Sequence, residues 1–255
     1  MLALAASKET QMDLANYPAA LDLSRLIDRY GGVLLDEGSL SSYEKFALTL
    51  FHDKDVVADP NLEVTVQLDI TEATRVYKDR MQKSPGATMT AYISWCLIQT
   101  LKNHACFCFR KVGGKWYRFD NLPLFFPVAV GGKERFNDVL MEDVCGQTWP
   151  EFCKSYRNGV DAVLNKLKPY EPIPLDTWHI AHFIGNIPNI QFTHLCIHTP
   201  AINIGRPIFY FGKRYATGDH TYTPLHIQFD HSNLDPYVVG LFLEDFERIL
   251  VAPPV

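Results

Sequence analysis

The 255-residue chain has no Cys-x-x-Cys pair, no block of basic residues, no apolar run of membrane-spanning length, and no repeat or low-complexity tract. Each absence excludes something. Without thiols at ligand spacing there is no zinc finger or ribbon. Without a basic block, and with a formal net charge of −5, the electrostatic footprint of a nucleic-acid binder is missing. The apolar start Met1–Ala6 is short, lacks a basic leader and is closed by Ser7-Lys8-Glu9, so it reads neither as a signal peptide nor as a membrane span. There is no Gly-x-Ser-x-Gly elbow, and neither Gly113-Gly114 nor Gly131-Gly132 leads into a phosphate loop; both glycine pairs read as turns.

What is present suits a globular protein. Hydrophobic residues make up 47% of the chain, enough for a substantial core, and the charges are interspersed as on a solvated surface. The six cysteines (Cys96, Cys106, Cys108, Cys145, Cys153, Cys196) sit among apolar residues, and Cys106-Phe107-Cys108 is too constrained for an ordinary disulfide. They read as reduced, mostly buried thiols of a cytoplasmic protein.

Residues 1–42 read as an N-terminal extension with one helix, near Ala19–Tyr30, stopped by Gly31-Gly32. Residues 43–255 read as one domain. Period two predicts strands over Leu62–Leu68, Ala105–Lys111, Lys115–Phe119, Leu124–Val130, Gln191–His198, Pro207–Lys213 and Thr221–Phe229. Helices are predicted from Thr71 to about Gln82, over Thr88–Asn103 and Trp149–Lys168, and over Tyr237–Leu250. Pro169, Pro172 and Pro174 punctuate the chain before its last third. Strands mixed with helices, without a fixed repeat, imply an α/β (α+β) fold with helices packed on a mixed sheet.

The most informative stretch runs from Pro224 to Pro236. Leu225, Ile227 and Phe229 form one apolar parity of a strand, and His231 continues it, so its ring is expected in a covered face or cleft. Asp235 followed by Pro236 is a good helix start, with Asp as N-cap and Pro at the first helical position. Val238, Phe242, Phe246 and Ile249 then form a stripe that docks the helix on the core. Two readings follow from the pattern: a satisfied buried histidine beside a cap, or a neutral imidazole held by backbone contacts and able to take a proton from a hydroxyl, amine or thiol.

With Pro207-Ile208, Gly212-Lys213, Gly218-Asp219, Pro224-Leu225 and Gln228 added, the His231-x-x-x-Asp235 stretch resembles the C-terminal third of the chloramphenicol acetyltransferases. That family shares its His-x-x-x-Asp-Gly motif with the dihydrolipoyl acyltransferase cores of 2-oxoacid dehydrogenase complexes. The resemblance extends more loosely to Val64–Val76, Thr88–His104 and Phe183–Leu195, covering about residues 43–250. It implies a two-layer sandwich subunit, a homotrimer with interface active sites, and acyl transfer from a coenzyme A thioester to a small-molecule acceptor, without a permanently bound cofactor. His231 would be the general base and Asp235 a structural support. The family's oxyanion-stabilising serine falls on His194, with Thr193 beside it. The chain departs from the family at three places. Pro236 stands where the motif has glycine, His194 replaces the serine, and the N-terminal arginine that pairs with the motif aspartate has no counterpart. That last change leaves Asp235 either to Lys45 or to a capping role.

Two other functions fit the same scaffold: cyclisation or condensation of a natural-product intermediate by the imidazole pair His231 and His194 without coenzyme A, or a non-catalytic trimeric binding module. His179-x-x-His182 could share a helical face, but no third ligand has diagnostic spacing and no metal is expected. Trp116, Tyr117, Phe119, Phe125 and Phe126 are expected as core and hairpin packing, or as an aromatic wall for an acceptor.

Overall fold

The computed structural model describes residues 23–165, 173–200 and 202–254. The expectations for Met1–Glu9, for the first part of the helix at Ala19, for the end of the helix at Lys168, and for Pro169 and Pro172 lie outside the described residues.

In chain order the elements are α1 (Arg25–Arg29), β1 (Gly32–Leu34), α2 (Ser42–Leu50), β2 (Asn61–Asp69), α3 (Thr71–Val76) and α4 (Met89–Asn103). The hairpin β3 (Phe109–Val112) and β4 (Lys115–Phe119) follows, then β5 (Leu124–Gly131), β6 (Arg135–Met141) and α5 (Trp149–Leu164). The last third holds α6 (Leu175–Ile180), β7 (His182–Asn186), β8 (Ile208–Phe211), β9 (Tyr215–Thr217), β10 (His220–Asp230) and α7 (Pro236–Val251).

The larger sheet has the order β2-β10-β8-β7-β5-β6, with β9 alongside β10. It is mixed: β7 pairs in parallel with β5 and β8, and the other pairs are antiparallel. One face is covered by helices. Tyr92 and Leu97 of α4, Phe152 of α5, and Phe242 and Phe246 of α7 interlock with Leu225, Ile227 and Phe229 of β10 in the main core. This is the expected two-layer arrangement. The smaller sheet β1-β4-β3 carries the Gly113-Gly114 turn, whose φ values of +57° and +78° suit a tight hairpin that a Cβ would strain.

Residues 23–42 pack directly on the remainder. Val33 pairs with Arg118 of β4, Arg25 forms an ion pair with Asp176, and Leu26 and Tyr30 join a second core with Phe119 and Ile180.

Some expectations are corrected. The segment Ala105–Cys108 is a 3-10 turn, so Cys106-Phe107-Cys108 does not lie on a strand; β3 begins only at Phe109. Gln191–His198 is irregular, and the strand of that region is β7, earlier in the chain. Backbone groups there are met by side chains instead of a ladder. Gln67 donates to the Phe192 carbonyl at 3.1 Å, and the Ile197 N–H donates to Glu63 at 3.3 Å. The helix from Thr71 continues as a π-helical turn over Tyr77–Met81. Strand β6 and helix α6 have no counterpart in the sequence reading. The aromatic group divides: Trp116 packs with Leu48, Phe119 joins the second core, and Phe125 and Phe126 lie in the larger sheet. All six cysteines are free; Cys96, Cys108 and Cys153 are buried and Cys196 is exposed.

Candidate functional site

β10 ends at Asp230 and α7 begins at Pro236, so His231 sits at a strand-to-helix junction fixed at both ends. Its backbone N–H donates to the Pro60 carbonyl at 2.9 Å. Its ring Nδ1 lies 3.2 Å from the Leu234 carbonyl oxygen. A carbonyl can only accept, so Nδ1 carries the proton and a neutral ring holds its lone pair on Nε2. The Phe51 ring stacks on the imidazole, with centroids 4.1 Å apart and planes 24° apart. Nε2 has no hydrogen-bond partner among the described residues. His231 is half-buried and lines a cleft of about 370 Å³ with Tyr43, Ala47, Cys106, Asn233 and Tyr237.

The turn that carries it is pinned from several directions. Asn233 donates to the carbonyls of Cys106 at 2.9 Å and Gly205 at 3.1 Å. Asp235 caps α7, its Oδ1 accepting from the Val238 N–H at 2.9 Å. Its φ of −133° is extended, and Pro236 begins the helix where no N–H is needed, so proline is accommodated where the motif has glycine. Tyr43 is near, and burial followed by the Asp235 carboxylate raises its phenol pKa. The choice left open for Asp235 is thereby decided: it is a cap. Lys45 forms no ion pair with it and lines a different cavity across α2.

Thr193 and His194 do not line the His231 cleft. Both are exposed on the irregular segment, and the His194 ring stands edge-on to His226, 6.4 Å between centroids. His226 is fully buried, with Nδ1 3.0 Å from the Thr65 hydroxyl and Nε2 unpaired. Burial lowers its pKa; nearby Glu63 opposes that shift and His194 adds to it. Sequence reasoning missed Phe51, Tyr43, His226 and the buried pair of His52 with Asp230. A signal for two of them was present: His226, Gln228 and Asp230 put polar side chains on the second face of β10, and that face is also covered. Among the described residues there is no cluster of three metal-ligating side chains, and no helix is long and apolar enough to cross a membrane.

Comparison with known proteins gives the same frame. No family model matches the chain. A chloramphenicol acetyltransferase of Staphylococcus aureus is 27% identical over 197 residues, covering 73% of this chain and 86% of the relative. A solved chloramphenicol acetyltransferase superposes with a TM-score of 0.69 at 15% identity, covering 86% of this chain and 99% of the other. The chain resembles the chloramphenicol acetyltransferases in sequence and shares their fold. The dihydrolipoamide acetyltransferase of Azotobacter vinelandii shares the fold, with a TM-score of 0.60 at 16% identity over 85% of this chain and 91% of the other. In this chain, Thr193 and His194 lie outside the cleft that His231 lines.

Proposed function

We propose that the protein is an acyltransferase that moves an acyl group, acetyl first among them, from a coenzyme A thioester to a hydroxyl or amine of a small molecule, with His231 as general base. The observation that carries this reading is the half-buried His231 ring. Its Nδ1–H is committed to the Leu234 carbonyl and its Nε2 is unengaged in a cleft. As the acceptor oxygen or nitrogen attacks the thioester carbonyl, its proton passes to Nε2. The tetrahedral intermediate collapses, the C–S bond breaks, and the thiolate takes the proton back from the imidazolium. Asp235 holds the turn through its cap and does not meet the substrate.

Oxyanion stabilisation by Thr193 and His194 requires them to reach His231 from another protomer, because they lie outside its cleft in one chain. The homotrimer implied by the resemblance supplies that geometry. Exposed apolar rings near the cleft favour a covering neighbour: Tyr237 is 75% exposed, Phe46 53% and Tyr43 50%.

The test is an assay of the purified protein with acetyl-coenzyme A and a panel of hydroxyl and amine acceptors, with thiol release as readout. His231→Ala is expected to lower turnover by about 10² to 10⁴ while the fold is kept. Full turnover in that variant would remove His231 as the base.

A further inference from the structure

A second cavity, of about 860 Å³, lies across α2 from the His231 cleft. The helix is a wall between them. Tyr43, Glu44 and Ala47 face the cleft, whereas Lys45, Leu48 and Thr49 face the cavity. Just past the helix, Phe51 stacks on His231 and His52 engages the preceding residue, Asp230, with Nε2 2.8 Å from Oδ2.

Asp230 is fully buried and also accepts from the Ser232 N–H at 2.7 Å. Both of its oxygens are engaged inside the protein, and its partner His52 lines the cavity. The floor is apolar: Leu48 and Trp116 pack together there, and His52 meets Trp116 edge-on at 5.0 Å. Lys111 is the half-buried cation, its Nζ 5.8 Å from the Trp116 ring centroid, with no carboxylate ion-paired to it among the described residues. Burial lowers its pKa while Asp230 opposes the shift, as for an ammonium short of counter-charge.

The other charges lie at the exposed rim and partly cancel. Lys45 and Lys115 face Asp36, Glu37 and Asp53. Asp36 already accepts from the Gly38 N–H at 2.9 Å and Asp53 from the Asp55 N–H at 3.0 Å. At depth, therefore, the cavity offers an ammonium, an imidazole edge and an aromatic floor.

We propose that this cavity is a binding site for an organic carboxylate with an apolar body, the carboxylate against Lys111 and the body on Trp116, Leu48 and the edge of the His52 ring. The assignment is independent of acyl transfer at His231. Calorimetry on the full chain tests it with 3-phenylpropionate against its neutral amide. The acid should bind saturably and shift the His52 ring resonances, the amide should bind about tenfold more weakly or not at all, and added salt should weaken the acid. Lys111→Met should abolish the preference for the acid, and Lys111→Arg should retain it. Equal binding of acid and amide, an unaltered preference in Lys111→Met, or no saturable binding of either probe would overturn the proposal. The comparison of acid with amide in the unmodified protein stands even if Lys111→Met fails to fold.

Discussion

His231 is held on three sides, by the Phe51 face, the Leu234 carbonyl and the Pro60 carbonyl. Only the Nε2 edge is left without a partner among the described residues. Support for that orientation comes from Asp235 acting through the backbone, so its contribution is that of a cap. Asp235→Ala is expected to cost about 1 kcal/mol in urea unfolding, and Asp235→Asn only a few tenths, because asparagine caps as well. Equal losses for the two variants would show that the charge, and not the cap, is what the site needs. At this scale the sequence was readable where one residue's role follows from its immediate neighbours. Asp235-Pro236 is such a pair. His52 with Asp230 is not, since its partners are 178 residues apart.

Helices α4 and α7 are the elements that hold β10, and with it His231, in place. The buried Tyr92 hydroxyl of α4 donates to the Leu250 carbonyl of α7 at 2.6 Å. Tyr92→Phe leaves that carbonyl without its donor and is expected to lower unfolding free energy by about 1 kcal/mol, read by denaturant titration. A larger effect is expected at Gly205, before β8. Its φ is +81°, and an added Cβ would lie 2.5 Å from the Trp116 ring and 2.9 Å from Asn233 Oδ1. Gly205→Ala combines left-handed strain with overpacking against the residue that pins the His231 turn, costing about 2–4 kcal/mol in the same titration.

The same scale shows why part of the fold was legible. α4 and α7 carry apolar residues at helical spacing, and β2 and β10 carry period two, so their own residues define them. Gln191–His198 also has strand-like character, but a strand exists only when a neighbour supplies a ladder. Here Gln67 and Glu63 side chains take its backbone groups instead. Strand β6 shows the converse. Phe136 is 53% exposed and Asn137 buried, so its polarity does not announce a strand, yet β5 pairs with it.

For the whole molecule, three buried histidines set the response to acid. Burial lowers the pKa of His179, His182 and His226, each from an ordinary 6.5. Above pH 6.5 these rings are neutral both folded and unfolded, and they contribute no pH dependence. Below it the unfolded chain takes up protons that the folded protein resists, so stability falls as pH drops, until the depressed folded pKa values are passed. Thermal midpoints should therefore decline between pH 7 and pH 5, and His182→Gln should flatten the decline. Asp59, Asp69 and Asp245, lowered from 3.8, add acid sensitivity only at more acidic pH. Light scattering should find three chains per particle, and Tyr237→Glu, at an exposed apolar ring beside the cleft, should favour the monomer and lower turnover. A monomeric protein with full activity would contradict an interface site.

The sequence by itself determined the elements whose information is local: the period-two strand that ends just before His231, the Asp-Pro start of α7, the glycine turn of the β3–β4 hairpin, and the resemblance these carry. These depend on backbone preference and on which face of an element is apolar, and both are encoded within a few consecutive residues. Tertiary structure alone decided what His231 touches, that Asp235 caps a helix while Lys45 lines another cavity, that His194 faces His226, and that Asp230 is paired with His52. Those outcomes depend on contacts between distant segments, because a side chain's partner is set by how the elements pack and not by its neighbours along the chain.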